Sequence, residues 1–146
     1  MTPEEMSDRM EIDDLLTRYA TGLDQRDWDL WQSCFTSDAL IDYTASGGIR
    51  GRLPEVRSWL ESVMPLFRAF QHLVTNREVS IDGDVATSRA AFFNPMVVGG
   101  EAASLFFEGG YYCDRLVRTD QGWRIAERVE ESVYSTRSMP IRPPRP

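Results

Sequence analysis

The chain has 146 residues, of which 42% are hydrophobic, and its 16 basic and 23 acidic residues give a net charge of −7. This length fits one domain that can bury its own core, and the acidic balance argues against nucleic acid as a partner, because nucleic-acid binding needs a basic face. All 16 basic residues are arginine, which excludes lysine Schiff-base chemistry.

Metal and cofactor sites are not expected. Cys34 and Cys113 lie far apart and His72 is the sole histidine, so neither a disulfide framework nor a zinc site is indicated. Dinucleotide, P-loop and nucleophile-elbow motifs are absent. The acidic N-terminus is unlike a signal peptide, and no apolar run could cross a membrane. We therefore expect a cytoplasmic protein that works without cofactor, metal or membrane.

The first half of the chain predicts three helices and one short strand. Thr2-Pro3 begins a long first helix that ends near Gly22, with the spacing of its apolar residues mostly helical. A short second helix over Trp28–Phe35, a strand over Ala39–Tyr43 and a third helix over Leu53–Phe67 follow.

The second half predicts four long antiparallel strands joined by tight turns such as Asp82-Gly83-Asp84. The predicted strands are Phe70–Ile81, Val85–Val98, Ala103–Arg118 and Trp123–Thr136. The last ten residues, 137–146, hold four prolines and are typical of an extended or disordered tail. Residues 1–136 would then form the domain.

Helices first and strands second indicate the α+β class. We expect a cone-shaped α+β barrel, in which three N-terminal helices pack on a curved, mainly antiparallel sheet and enclose an apolar pocket. The last strand alternates charged and apolar residues over Arg124–Glu130. The outer face of such a sheet must be polar or covered.

Three residues are candidates for acid–base chemistry, and each has a structural alternative. Histidine is the side chain whose ordinary pKa lies nearest neutrality, but a lone buried His72 is more often a hydrogen-bonded core group. Asp24 follows the first helix, where carboxylates commonly cap the helix or face water. Tyr43 ends the short strand, where tyrosine usually packs in the core with its hydroxyl bonded.

Five segments between residues 8 and 134 together form a family pattern, namely Tyr19–Asp29, Ile41-Asp42-Tyr43, Gln71–Asn76, Asp82–Ala86 and Gly122–Ile125. On these segments the sequence resembles the SnoaL-like branch of the nuclear transport factor 2-like superfamily. Within that branch the pattern is similar to scytalone dehydratase and the bile acid 7α-dehydratases, which remove water from a polycyclic substrate without metal or cofactor.

The resemblance implies a catalytic set of His72, Asp24 and Tyr43. Asp24 would hold the His72 ring and raise its basicity. His72 would take a proton next to a carbonyl group, and Tyr43 would polarise that carbonyl or assist the leaving hydroxyl.

The pattern departs from the dehydratases at three positions. Asn94-Pro95 stands where scytalone dehydratase has a second catalytic histidine, Tyr112 stands near its active-site asparagine, and Leu23 replaces a tyrosine. We expect a hydrophobic polycyclic, steroid-like or polyketide-like ligand, contacted by Tyr112, Asn94, Trp28 and Phe92. A polyketide cyclase, or a non-catalytic subunit like the small subunit of ring-hydroxylating oxygenases, remains an alternative. Related proteins bury the outer face of the sheet in dimers or trimers, so the resemblance also implies a homo-oligomer, either a trimer or a dimer.

Overall fold

The computed structural model describes residues 1–99 and 104–136. Its helices are α1 (Pro3–Gln25), α2 (Trp28–Gln32) and α3 (Leu53–Val63), with two 3₁₀ turns at Thr44–Ser46 and Met64–Leu66. Its strands are β1 (Phe35–Asp42), β2 (Arg50–Arg52), β3 (Phe67–Phe70), β4 (Leu73–Asp82), β5 (Val85–Val98), β6 (Ser104–Thr119) and β7 (Gly122–Ser135). The predicted tail over 137–146 lies outside the described residues, as do residues 100–103.

The seven strands form one curved sheet that confirms the predicted α+β class. Its order is β2-β1-β7-β6-β5-β3, and β4 pairs with another stretch of β5. All pairings are antiparallel except that of β1 with β7, which is parallel. Within the described residues no ladder joins β2 to β3 or β4, so the sheet stays open rather than closing into a barrel.

Two predicted helices end earlier in the structure. The second helix stops at Gln32, and β1 begins at Phe35 rather than at Ala39, because Phe35 already pairs with Ile125 of β7. The third helix stops at Val63 rather than at Phe67. Pro65 has no backbone N–H and cannot continue the helical hydrogen bonds, so the chain continues as a 3₁₀ turn over Met64–Leu66.

The predicted strand Phe70–Ile81 is interrupted at Gln71 and His72, so that Phe70 ends β3, which begins earlier at Phe67, and the rest of the predicted strand is β4. Both pieces pair with β5, β3 near Met96 and β4 from Phe93 onward. Gln71 N–H still donates to the Pro95 carbonyl at 3.1 Å, but the His72 N–H leaves the ladder and donates to Asp24. This break in the strand is what positions the histidine.

A bulge in β7 decides which charged residues face inward. Leu116 pairs with Ile125 but Arg115 pairs with Glu127, so one extra residue lies in β7. Because side chains alternate along a strand, the extra residue reverses the pattern. Beyond the bulge Arg128 and Glu130 are buried, whereas Val129 between them is exposed.

The core lies between α1 and the sheet and contains a buried ion pair. Arg128 is fully buried and donates to both oxygens of Asp114, at 2.7 and 2.6 Å. Burial disfavours a charged guanidinium, but the Asp114 carboxylate outweighs that effect and raises the pKa of Arg128. In the part of the chain described here, no helix is long and apolar enough to cross a membrane.

Candidate active site

A cavity of about 190 Å³ lies between the helices and the concave face of the sheet. Its wall is mostly apolar and aromatic, with Trp59 and Leu60 from α3 facing Phe92 and Phe106 from the sheet. A few polar groups interrupt this apolar wall. This composition is typical of small-molecule sites, where apolar surface binds the ligand and a few polar groups orient it.

Asp24 and His72 form a hydrogen-bonded pair at the cavity wall. The ring Nδ1 lies 2.7 Å from Asp24 Oδ1, and the backbone N–H of His72 donates to Oδ1 and Oδ2 at 3.0 and 2.9 Å. The His72 side chain is only 6% exposed and lines the cavity, whereas Asp24 lies behind it. An ionised carboxylate can only accept, so with Asp24 ionised Nδ1 carries the hydrogen, and the neutral form of the ring then keeps a lone pair on Nε2.

Arg26 fixes the chain on both sides of this pair. It is in the left-handed conformation (φ 56°) at the end of α1, two residues after Asp24. Its guanidinium donates to the carbonyls of Met64 and Phe67, at 2.9 and 2.7 Å, and stacks over the ring of Phe70. Arg26 therefore ties the end of the helix to the strand that leads into His72.

Tyr43 lines the cavity and is bonded to a second tyrosine. Its hydroxyl lies 2.6 Å from that of Tyr19 on α1, and both side chains are buried. Burial raises the pKa of Tyr43 well above its usual range, and the nearby Tyr19 adds to the effect. Burial also raises the pKa of Tyr19. Both phenols are therefore neutral at neutral pH, so one hydroxyl of the pair can donate to a ligand.

The expected ligand-contacting residues separate into two groups. Phe92, Asn94 and Tyr112 line the cavity, and the rings of Phe92 and Tyr112 stack with centroids 4.5 Å apart. Asn94 Oδ1 is buried without a hydrogen-bond partner in the described structure. Trp28 is not among the residues that line this cavity, since it lies on α2 and packs against the hydrophobic core.

Three titratable residues of the cavity lining were missed in the sequence. Tyr19 stands among the apolar residues of the first helix, and only its polar hydroxyl on a buried face could have singled it out. Glu108 and Glu130 lie on β6 and β7 and are 4% and 8% exposed. Their side chains point inward, and Ser135 donates to Glu108 at 3.0 Å. The bulge in β7, which turns Glu130 inward, leaves no signal in the sequence.

The buried Arg128 supports the tyrosines from behind. Its guanidinium lies 3.9 Å from the ring centroid of Tyr19 and 4.3 Å from that of Tyr112. Stacking of this kind stabilises the positions of both rings. The buried Arg128 guanidinium thus lies behind the aromatic wall of the cavity, and the Asp114 carboxylate neutralises its positive charge.

This arrangement can perform general acid–base chemistry. His72 offers a ring nitrogen that can take a proton, Asp24 can stabilise the imidazolium that then forms, and the tyrosine pair offers a neutral donor. Residues 1–99 and 104–136 contain no group of three or more His, Cys, Asp or Glu side chains that could hold a metal ion.

Comparisons with known proteins agree on the fold. The chain is 46% identical over 130 residues to the uncharacterized protein Rv2910c of Mycobacterium tuberculosis, covering 89% of this chain and 88% of that protein. It superposes on Kfla4162 of Kribbella flavida with a TM-score of 0.83 and 27% identity, covering 91% of this chain and 95% of the other. A candidate scytalone dehydratase of Novosphingobium aromaticivorans superposes with a TM-score of 0.85 and 19% identity, covering 95% and 93%.

The family model of the SnoaL-like domain matches residues 4–129. That stretch contains α1, α2, α3 and nearly all of the sheet, together with the Asp24–His72 pair. The chain therefore belongs to the SnoaL-like domain family, within the nuclear transport factor 2-like fold that the sequence segments predicted.

Proposed function

We propose that this protein is a cofactor-independent lyase or isomerase of the dehydratase type, acting on a hydrophobic, ring-containing small molecule. The observation that carries the proposal is the contact of Asp24 with the His72 ring at the wall of an apolar cavity. A carboxylate that served only as a helix cap would not need to bind both the backbone and the ring of a histidine. The likeness to the candidate scytalone dehydratase supports the fold but not the substrate.

The proposed reaction begins with proton removal by His72. Nε2 takes a proton from the carbon next to a ligand carbonyl, and Asp24 stabilises the imidazolium through the Nδ1–H bond. The apolar wall excludes water, so this interaction is stronger than it would be in solvent. Tyr43 donates its hydroxyl hydrogen to the carbonyl oxygen, where negative charge develops.

The lining favours flat apolar ligands. The stacked rings of Phe92 and Tyr112 form one wall, and Trp59, 6.5 Å from Tyr43 between ring centroids, stands on the helical side. Aromatic walls of this kind bind ring systems through offset and edge contacts. Asn94 supplies an amide within the same cavity, so a ligand with one or two oxygen atoms on a ring skeleton is the best fit.

The outer strands carry exposed apolar residues that favour self-association. Leu105 on β6 is 59% exposed and Val133 on β7 is 63% exposed, and Phe93 and Phe107 stack on each other with centroids 5.4 Å apart. Leu105, Phe93 and Phe107 alternate with the inward-facing residues of β5 and β6, so they lie on the outer face, and Val133 is exposed where the β6–β7 register shifts. We propose that a second copy of the chain covers them, in a dimer or a trimer.

Loss of the His72–Asp24 pair should abolish turnover without unfolding the protein. In His72→Ala and Asp24→Asn, we expect kcat to fall by about 10²–10⁴, the usual worth of a positioned acid–base group. The assay follows formation of conjugated ketone from a panel of aromatic and alicyclic β-hydroxy ketones. Asp14→Asn, an exposed aspartate on the same helix, is the matched control. Wild-type rates in both pair variants would remove the proposal.

Tyr43→Phe should weaken catalysis more than Tyr19→Phe. Removal of the donor to the developing oxyanion is expected to lower kcat by up to about 10²–10³. Tyr19→Phe removes only the partner of that donor, so its effect should be smaller. Steady-state kinetics of the two variants make the comparison, and equal small effects would mean that Tyr43 does not touch the reacting oxygen.

Charges on the outer face should dissociate the assembly. Leu105→Glu combined with Val133→Glu is expected to give a smaller species in sedimentation velocity, because carboxylates would be buried in the interface. Met10→Glu, at an exposed position of α1, is the control and should sediment like the wild type. A monomeric wild type, or an unchanged double variant, would contradict the assignment of this face.

A further inference from the structure

Glu130 is a buried carboxyl group in the cavity that the pair chemistry does not use. It lies on β7, lines the cavity, and is 8% exposed. Its Oε1 is buried and has no hydrogen-bond partner in the described part of the chain. A buried polar atom without a partner costs stability, so its retention at the cavity wall points to a ligand atom that would satisfy it.

The groups around Glu130 do not hold it in the charged form. Arg128 on the same strand attracts it, but that guanidinium is already paired with both oxygens of Asp114. The Ser46 hydroxyl bonds to the carboxyl, whereas Glu108 from β6 and Asp42 from β1 repel a negative charge there. Three phenols, on Tyr19, Tyr43 and Tyr112, also lie near enough to interact with its charge.

Burial therefore dominates the ionisation of Glu130. It raises the pKa of the carboxyl from its usual value of 4.5 to about 7, and the repulsion from Glu108 and Asp42 acts in the same direction. A carboxylic acid with this pKa is mostly protonated below a pH of about 7, and in that form it can donate its hydrogen.

We propose that Glu130 is a further catalytic residue, a proton donor that binds the ligand's departing hydroxyl group. This inference rests on the proposed function, because it assigns the acid that complements His72 as the base. The cavity would then hold a base, His72 at the break between β3 and β4, and an acid, Glu130 on β7.

The proposed reaction eliminates one molecule of water from the ligand. His72 Nε2 takes the proton from the carbon next to the carbonyl, and the electron pair of that C–H bond becomes the new C=C bond. The C–O bond on the neighbouring carbon breaks, its electron pair stays on the oxygen, and the Glu130 proton joins that oxygen to release water. His72 is then protonated and Glu130 ionised, and the proton returns to Glu130 through solvent.

The decisive variant is Glu130→Gln, which keeps the shape and a hydrogen-bond donor but cannot transfer a proton. With the β-hydroxy ketone that the wild type converts, we expect kcat to fall by about 10²–10⁴ with little change in KM. The wild-type rate should also fall as the pH rises through about 7, and the variant should lack that decline. Glu131→Gln, a neighbour on the outer face that pairs with Arg89, is the control.

A second measurement needs no substrate. Since the folded pKa of Glu130 lies above the unfolded one, the wild type should lose stability as the pH rises from about 4.5 to about 7. Glu130→Gln lacks this loss of stability. The Tm of the variant minus the Tm of the wild type should therefore increase over the same pH range. The Tm difference between Glu131→Gln and the wild type should not change in this way.

The outcomes separate this inference from the proposed function. Full activity of Glu130→Gln, with His72→Ala inactive, would overturn the role of Glu130 and leave the pair intact. A Tm difference that does not vary with pH would also overturn it, since Glu130 would then be ionised like an ordinary carboxyl. If the wild type converts no β-hydroxy ketone of the panel, that result contradicts both the proposed dehydration and the acid role of Glu130. Loss of activity with the expected Tm trend supports the proposal.

Discussion

The account depends on one carboxylate, Asp24, which accepts hydrogen bonds from both the backbone and the ring of His72. These bonds join the end of α1 to the point where β3 gives way to β4, so the helical half and the sheet meet at the candidate base. They also fix the tautomer of the ring, because the carboxylate side must carry the hydrogen. Arg26 reinforces the junction by binding the carbonyls of Met64 and Phe67.

Around this junction, the groups that stay charged lie in a different place from the groups that can gain or lose a proton. The Arg128–Asp114 pair is buried behind the aromatic wall, where each charge compensates the other. In front of it lie neutral phenols and a carboxyl whose ionisation burial has shifted. A cavity so arranged can exchange protons with a ligand while the charges that hold its wall stay unchanged.

Much of this could be predicted from the sequence, and the failures have physical causes. Asp24, Tyr43 and His72 lie in distinctive segments of the family pattern, so their grouping could be anticipated. The strands β2 and β3 have only three and four residues, too few for an alternating pattern to show. Glu130 escaped notice because the β7 bulge reverses which residues face inward. Trp28 packs against the core and does not line the cavity, because an aromatic residue near the site can equally well belong to the core.

The most direct test of the central claim is ¹⁵N NMR of the imidazole, which is unambiguous because His72 is the only histidine in the chain. At neutral to alkaline pH, we expect a protonated Nδ1 and an unprotonated Nε2, with Asp24→Asn disturbing this preference. A ring-containing ketone that enters the cavity should shift the Nε2 signal. A ring protonated at Nε2 in the wild type, or a signal that no cavity ligand moves, would contradict the account.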